Sequence, residues 1–163
     1  MVRFEYMDKA IFPKLSAAIF RILATNMSVI APTGNKYDED FAIWYGSVLE
    51  GLLKESREII LIRDNADLIG FFQYYINDSL FMMEEVQILA IWHGKENIFR
   101  RLYEFVIPNL SGVEIVEAYA NKQNEKSKHI LERLGLTIIG ENKNGKSYHY
   151  CGRYSALLDW LNG

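Results

Sequence analysis

EEVQILAIWHGKENIFRRL, Glu84 to Leu102, is the stretch on which the fold turns. Its first half reads as a strand, whose alternation puts Glu85, Gln87 and Leu89 on one face and Val86, Ile88 and Ala90 on the other. Past the turn, Ile98, Leu102, Phe105 and Val106 recur at helical spacing, and Pro108 stops the helix. A strand, a tight turn about Gly94 and a helix start together make a candidate anion cradle. The first N–H groups of a helix lack intrahelical partners, and its dipole favours negative charge there. Glu96 puts a carboxylate at the same place.

Upstream of this stretch, a short strand spans Arg3 to Tyr6, and Phe12, Leu15, Ile19 and Leu23 mark a first helix. NMSVIAPTGNKYDED, Asn26 to Asp40, has no period and holds Pro32 and Gly34. It predicts a long loop whose acidic end suits a helix start. Phe41, Trp44, Val48 and Leu52 give that second helix. REIILIR (Arg57 to Arg63), LIGFFQYYI (Leu68 to Ile76) and LFMMEEVQILAI (Leu80 to Ile91) follow as an antiparallel meander joined by DNAD and NDS.

Downstream of the third helix, GVEIVEAYA is a fifth strand, and Ser127, Ile130, Leu131 and Leu134 give a fourth helix capped by Gly135. LTIIGENKNGKSYHYCGRY is a hairpin about Asn144 and Gly145, and Leu157, Leu158 and Leu161 suggest a short final helix. The strand tyrosines, Met82 and Met83 are expected to pack as core or cleft wall.

No repeat or linker interrupts the 163 residues, half of them hydrophobic, so a single domain over 1–163 is expected. The net charge of -3 and a pI near 5.7 argue against a nucleic-acid surface, which needs clustered Lys and Arg. Cys151 is alone, and His93, His129 and His149 lack metal-ligand spacing with it, so no metal is expected. No apolar run approaches the roughly 20 residues of a membrane span, and no signal peptide opens the chain. A cytoplasmic protein without a membrane partner is the expectation. The serines and histidines form no nucleophile motif.

The order of elements, two helices, a three-strand meander, helix, strand, helix and hairpin, resembles that of the GNAT superfamily of acyl-CoA-dependent N-acetyltransferases. Two motifs carry the resemblance. Glu84 to Leu102 resembles the family's strand, pyrophosphate loop and helix. NKQNEKSKHILERLGL, Asn121 to Leu136, resembles its pattern of Asn, small residue, apolar pair and Leu-Gly-Leu. The resemblance implies an α/β fold, layered in the α+β manner, with a mixed, mostly antiparallel sheet of about seven strands flanked by about four helices. It also implies acetyl-CoA as acyl donor and a primary amine as acceptor, on a small molecule or at a protein terminus or lysine.

Site residues come with the same resemblance. Leu89, Ala90 and Ile91 would line the acyl end, and His93, Gly94, Lys95, Glu96, Asn97 and Ile98 the pyrophosphate. Asn124 would hold the pantetheine arm and Ser127 the thiol. An amine with pKa near 10 must lose a proton before attack, and Glu85 stands where several relatives carry a glutamate base. Departures are equally specific. The loop's two glycine places fall on Glu96 and Ile98, and Leu131 replaces the tyrosine acid of many relatives, with Tyr119 a candidate substitute. Plainer readings stand beside these: Glu96 as a capping charge, Asn121 or Asn124 as a helix cap, and Ser127 as a small packing residue. A binding module without acyl-CoA chemistry, or a homodimer paired through the tyrosine-rich hairpin, are the alternatives.

Overall fold

The computed structural model describes residues 1–54 and 56–163. Its strands are β1 (Val2–Tyr6), β2 (Arg57–Asp64), β3 (Asp67–Asn77), β4 (Leu80–Ile88), β5 (Ile115–Asn121), β6 (Thr137–Glu141) and β7 (Ser147–Arg153). The helices are α1 (Phe12–Ile30), α2 (Tyr37–Lys54), α3 (Ile98–Val106), α4 (Glu125–Arg133) and α5 (Tyr154–Asn162). One seven-stranded sheet results, in the order β1-β2-β3-β4-β5-β7-β6. β1–β2, β2–β3, β5–β7 and β6–β7 pair antiparallel, whereas β4–β5 is parallel, Leu80↔Ile115 to Met83↔Ala118.

Two of the boundaries that differ from the sequence reading bear on the site. The predicted loop from Asn26 to Asp40 shrinks to residues 31–36, because α1 runs on to Ile30 and α2 starts at Tyr37. No helix breaker stands between Asn26 and Pro32, and Asp40 ties the short loop to α2. Its carboxylate accepts from Thr33 Oγ1 (2.5 Å) and Asn35 Nδ2 (3.1 Å), and these bonds, Thr33 first, hold it below the usual carboxylate range. The fourth strand stops at Ile88 instead of Ile91, and Ala90–Trp92 is a 3-10 turn. There the Leu89 N–H turns to the Ile69 carbonyl, while Trp92 and His93 donate back to Leu89 and Ala90.

The chain divides into two compact units. The first comprises Met1–Tyr75 with Glu85–Ile98. Its core joins Phe12, Ile19 and Ile22 of α1 and Val48 and Leu52 of α2 to Ile59, Leu61 and Phe71 of the sheet. Phe12 stacks on Tyr45 (centroids 5.5 Å) and tilts against Trp44 (5.7 Å). In β2 the run Ile59 to Ile62 is buried on both faces, which is why it reads as a continuous apolar segment and not as an alternation.

The second unit comprises Ile76–Glu84 with Phe99–Gly163. α3 and α5 meet through Phe99, Tyr103 and Trp160, and Arg100 lies over the Trp160 ring while donating to the Trp160 and Leu161 carbonyls, where a helix end favours a cation. Tyr103 donates its hydroxyl to Met83 Sδ (3.1 Å), and burial pushes its phenol pKa up. Met82 and Met83 are buried, as expected of packing residues. Gly135 takes φ +90 just past α4, the left-handed cap that only glycine adopts without strain. Ile138 and Ile139 stay exposed on β6, the end strand of the sheet.

Candidate active site

In the first unit the exit of β4 is held by a hydrogen-bond network. Asn26 Nδ2 donates both to Gln87 Oε1 (2.9 Å) and to the Ile88 carbonyl (3.0 Å). Gln87, buried, passes its own amide to Glu85 Oε2 (3.3 Å). His93 Nε2 meets the same Ile88 carbonyl at 2.8 Å, and because a carbonyl only accepts, that nitrogen bears the hydrogen. Glu85 is therefore a half-buried carboxylate with a fixed amide neighbour. Asn26 was missed in sequence because its partners lie 61 and 62 residues away.

The turn that follows engages much of its own backbone. Leu89 uses both N–H and carbonyl, and the N–H groups of His93, Lys95 and Ile98 bond to Ala90, Trp92 and Lys95 carbonyls. Among the described residues, Ala90, Ile91, Gly94 and Asn97 keep N–H groups without a protein acceptor. Leu89 thus spends its N–H on β3 and its carbonyl on the 3-10 turn, whereas the N–H groups of Ala90 and Ile91 remain open. Gly94, Glu96 and Asn97 all take positive φ, +74, +51 and +54. A carboxylate side chain thus occupies a conformation that glycine adopts at no steric cost. Glu96→Gly is expected to raise the unfolding free energy by about 0.5–1 kcal/mol. A thermal midpoint no higher than that of the native chain would contradict this.

In the second unit, Asn124 caps α4: its Oδ1 accepts from the Ser127 N–H (3.1 Å), while Asn121 Oδ1 accepts from Gln123 (2.9 Å). The cap leaves Asn124 Nδ2 and Ser127 Oγ without a protein partner among the described residues. Leu131 is a buried packing residue. On β5, alternation sends Val116, Ala118 and Ala120 into the core and turns Glu117 and Tyr119 to the opposite face. α4 packs on the first of these faces, with Lys128 over Tyr148, so Tyr119 and Ser127 do not share a face.

That second face holds a cluster that the sequence reading did not assemble. Tyr119, 44% exposed, pairs across the ladder with His149 and stacks on it, with centroids 4.4 Å apart and planes 16° from parallel. His149 Nε2 bonds to Glu117 Oε1, and Cys151 lies opposite Glu117 in register. Burial first, then the Glu117 charge, push the Cys151 thiol pKa up. The signal was available in principle: alternation joins Glu117 to Tyr119, and the hairpin register brings His149 to both.

Solved structures of low sequence identity share this architecture. The chain is similar to the PaiA N-acetyltransferase from Thermoplasma acidophilum in complex with coenzyme A, with TM-score 0.70 and 13% identity over 94% of this chain and 99% of that one. A structure from Desulfovibrio desulfuricans assigned to the GNAT family of acetyltransferases gives 0.68 and 14%, over 94% and 98%. The fold is that of the GNAT acetyltransferases. An aminoglycoside acetyltransferase in complex with coenzyme A gives 0.66 and 16%, over 98% of each chain. No family model matches the sequence, and no curated protein matches it. Measured against this GNAT fold, the seven strands fall as the element order implied, with five helices among the described residues. Among those residues no His, Cys, Asp or Glu group is placed to hold a metal ion, and no helix is long and apolar enough to cross a membrane.

Proposed function

We propose that this protein is an acyl-CoA-dependent N-acetyltransferase that moves an acetyl group from acetyl-CoA to a primary amine by direct attack. The observation that carries the reading is the turn before α3. Its backbone keeps the left-handed shape at Glu96 where the GNAT loop has glycine, and unengaged N–H groups remain at Gly94 and Asn97. Exposed N–H groups beside a helix start suit a pyrophosphate, and Lys95, exposed in the same turn, adds a cation. The N–H groups of Ala90 and Ile91 suit the amide-rich arm next to it. Asn124 Nδ2 and Ser127 Oγ are the groups that the resemblance assigns to that arm and to the thiol.

Acetyl-CoA supplies the thioester carbonyl. The chain's part is to hold the donor, to orient an amine and to take protons from it. Direct attack needs no acyl carrier on the protein, and burial and then the Glu117 charge push the Cys151 thiol pKa up, away from the thiolate that such a carrier uses. The resemblance assigns proton removal to Glu85, with Gln87 and Asn26 fixing its position. The acceptor is an amine, as it is for the aminoglycoside acetyltransferase of the same fold.

Calorimetry with acetyl-CoA tests the reading. Micromolar binding, about -8 kcal/mol, is expected, followed by acetylation of at least one amine in a panel of spermidine, kanamycin and a peptide with a free N-terminus. Absence of acetyl-CoA binding by both the native chain and Glu96→Gly would sink the assignment and leave the fold alone.

A further inference from the structure

The turn from His93 to Asn97 brings no net charge to a pyrophosphate: Lys95 carries a cation, Glu96 an anion, and a neutral imidazole nothing. We propose that His93 supplies the missing charge, binding the pyrophosphate through Nδ1 as an imidazolium, so that the acyl donor brings a proton from solvent as it binds; this rests on the acyltransferase reading above. Three observations lead there. His93 Nε2 donates to the Ile88 carbonyl at 2.8 Å, so in the neutral ring Nδ1 is the nitrogen with the lone pair. The same carbonyl is held by Asn26 Nδ2 at 3.0 Å, which ties the anchor of the imidazole to α1. Nδ1 has no protein partner among the described residues, and the side chain is exposed.

Covalent structure decides which nitrogen the ligand meets. Nδ1 is bonded to Cγ and lies nearer the main chain than Nε2 does. With Nε2 turned back on Ile88, Nδ1 is the polar ring atom left for the turn, one residue before the unengaged N–H of Gly94 and four before that of Asn97. A neutral ring would set its lone pair against phosphate oxygens, acceptor against acceptor. Protonation turns Nδ1 into a donor, and a charged donor bonds phosphate more strongly than a neutral one. Imidazole is the side chain whose ordinary titration lies nearest neutral pH, so this proton is the one most readily gained.

The titratable groups on the segments around His93 are Glu85 on β4, Asp67 on β3, two residues from the Ile69 carbonyl that Leu89 meets, and Lys95 and Glu96 in the turn. These are carboxyl and ammonium groups, which as classes titrate outside the range from about pH 6 to pH 8. The last turn of α1, Asn26 to Ile30, carries no titratable side chain. A pyrophosphate diester has no acid near neutral pH either. The step therefore takes one proton from solvent to Nδ1, and no bond of the ligand is made or broken.

Two measurements on the full chain test this, with acetyl-CoA and with 3′-dephospho-CoA, which keeps the pyrophosphate but lacks the phosphate monoester that titrates near neutral pH by itself. In a long-range proton–nitrogen NMR spectrum at about pH 8, the free chain is expected to show His93 with a protonated Nε2 and a bare Nδ1, and added 3′-dephospho-CoA to protonate both as the pH is lowered to about 7. A protonated Nδ1 in the free neutral ring, or a bare one in the complex, overturns the proposal whatever any variant does. In calorimetry across buffers of different ionisation enthalpy, binding of either ligand at about pH 7.5 is expected to take up about half a proton, and affinity to be about tenfold higher at pH 6 than at pH 8. His93→Gln is expected to lose the uptake and the pH dependence of 3′-dephospho-CoA binding, and His129→Gln, which alters an exposed histidine of α4, to keep both. Uptake with acetyl-CoA alone would trace the proton to the 3′-phosphate and overturn the assignment, as would uptake that survives His93→Gln or binding with no uptake at all. Failure of the native chain to bind acetyl-CoA removes the acyltransferase reading and this role with it.

Discussion

Phe12→Ala is expected to lower the unfolding free energy by about 3–5 kcal/mol, read as a fall in the urea midpoint at unchanged slope. Phe12 is fully buried at the first turn of α1, and its ring meets Tyr45 at 5.5 Å and Trp44 at 5.7 Å. Truncation removes the transfer free energy of the ring and its aromatic contacts, worth about 0.5–1.5 kcal/mol each beyond area. The residue is followed by Pro13, which opens α1, so the backbone at this point has little freedom to collapse into the space left behind. A loss below about 1 kcal/mol would mean that α1 and α2 close the gap between them, and that the first unit's core is more yielding than its packing indicates.

Gly70→Ala is expected to cost about 2–3 kcal/mol and to weaken acetyl-CoA binding at the same time. A Cβ at Gly70 would lie 2.6 Å from the Gln87 carbonyl oxygen and 3.3 Å from the Ile88 Cα. Both are backbone atoms, so no side chain can swing aside; β4 itself must move. Its exit is where Gln87 holds Glu85 and where Ile88 receives Asn26 and His93. The register of β2 against β3 also shifts beside this glycine, between Ile62 and Arg63, which places the close approach where the sheet is already irregular. Urea denaturation and calorimetry on the same variant check the two effects together. Native stability with weakened binding would separate the exit of β4 from the fold's stability, and native values of both would show that the strands part freely.

Much of this fold was legible in the sequence because its signals are local. The spacing of Phe12, Leu15, Ile19 and Leu23, the alternation in the meander, and Asn144–Gly145 in the last hairpin each act within a few residues of themselves. The errors fall where a distant partner decides. Pro32 and Gly34 made Asn26 to Asp40 look like a loop throughout, yet Asn26 is helical and bonded to β4. The strand reading ran to Ile91 because Leu89, Ala90 and Ile91 are apolar, whereas the Ile69 carbonyl and a 3-10 turn end it at Ile88. Of the candidate site, Glu85 and the turn from His93 to Ile98 could be named from sequence, and so could the cap at Asn124. The positive φ at Glu96 could not, since nothing in a glutamate announces it. Nor could the bond from His149 to Glu117, which exists only once the register of β5 on β7 is known.

The grip of Asn26 on Gln87 and Ile88 makes the length of α1 matter far from the helix itself. Each residue of an α-helix turns by about 100°, so inserting or deleting one residue between Phe12 and Asn26 would carry that amide to the wrong side of α1. The change would surface 61 and 62 residues later, at the strand exit it holds. Insertions in the short loop after Ile30 leave the phase of Asn26 untouched. The tolerated and forbidden positions for a change of chain length should therefore lie within one turn of each other, on either side of the end of α1.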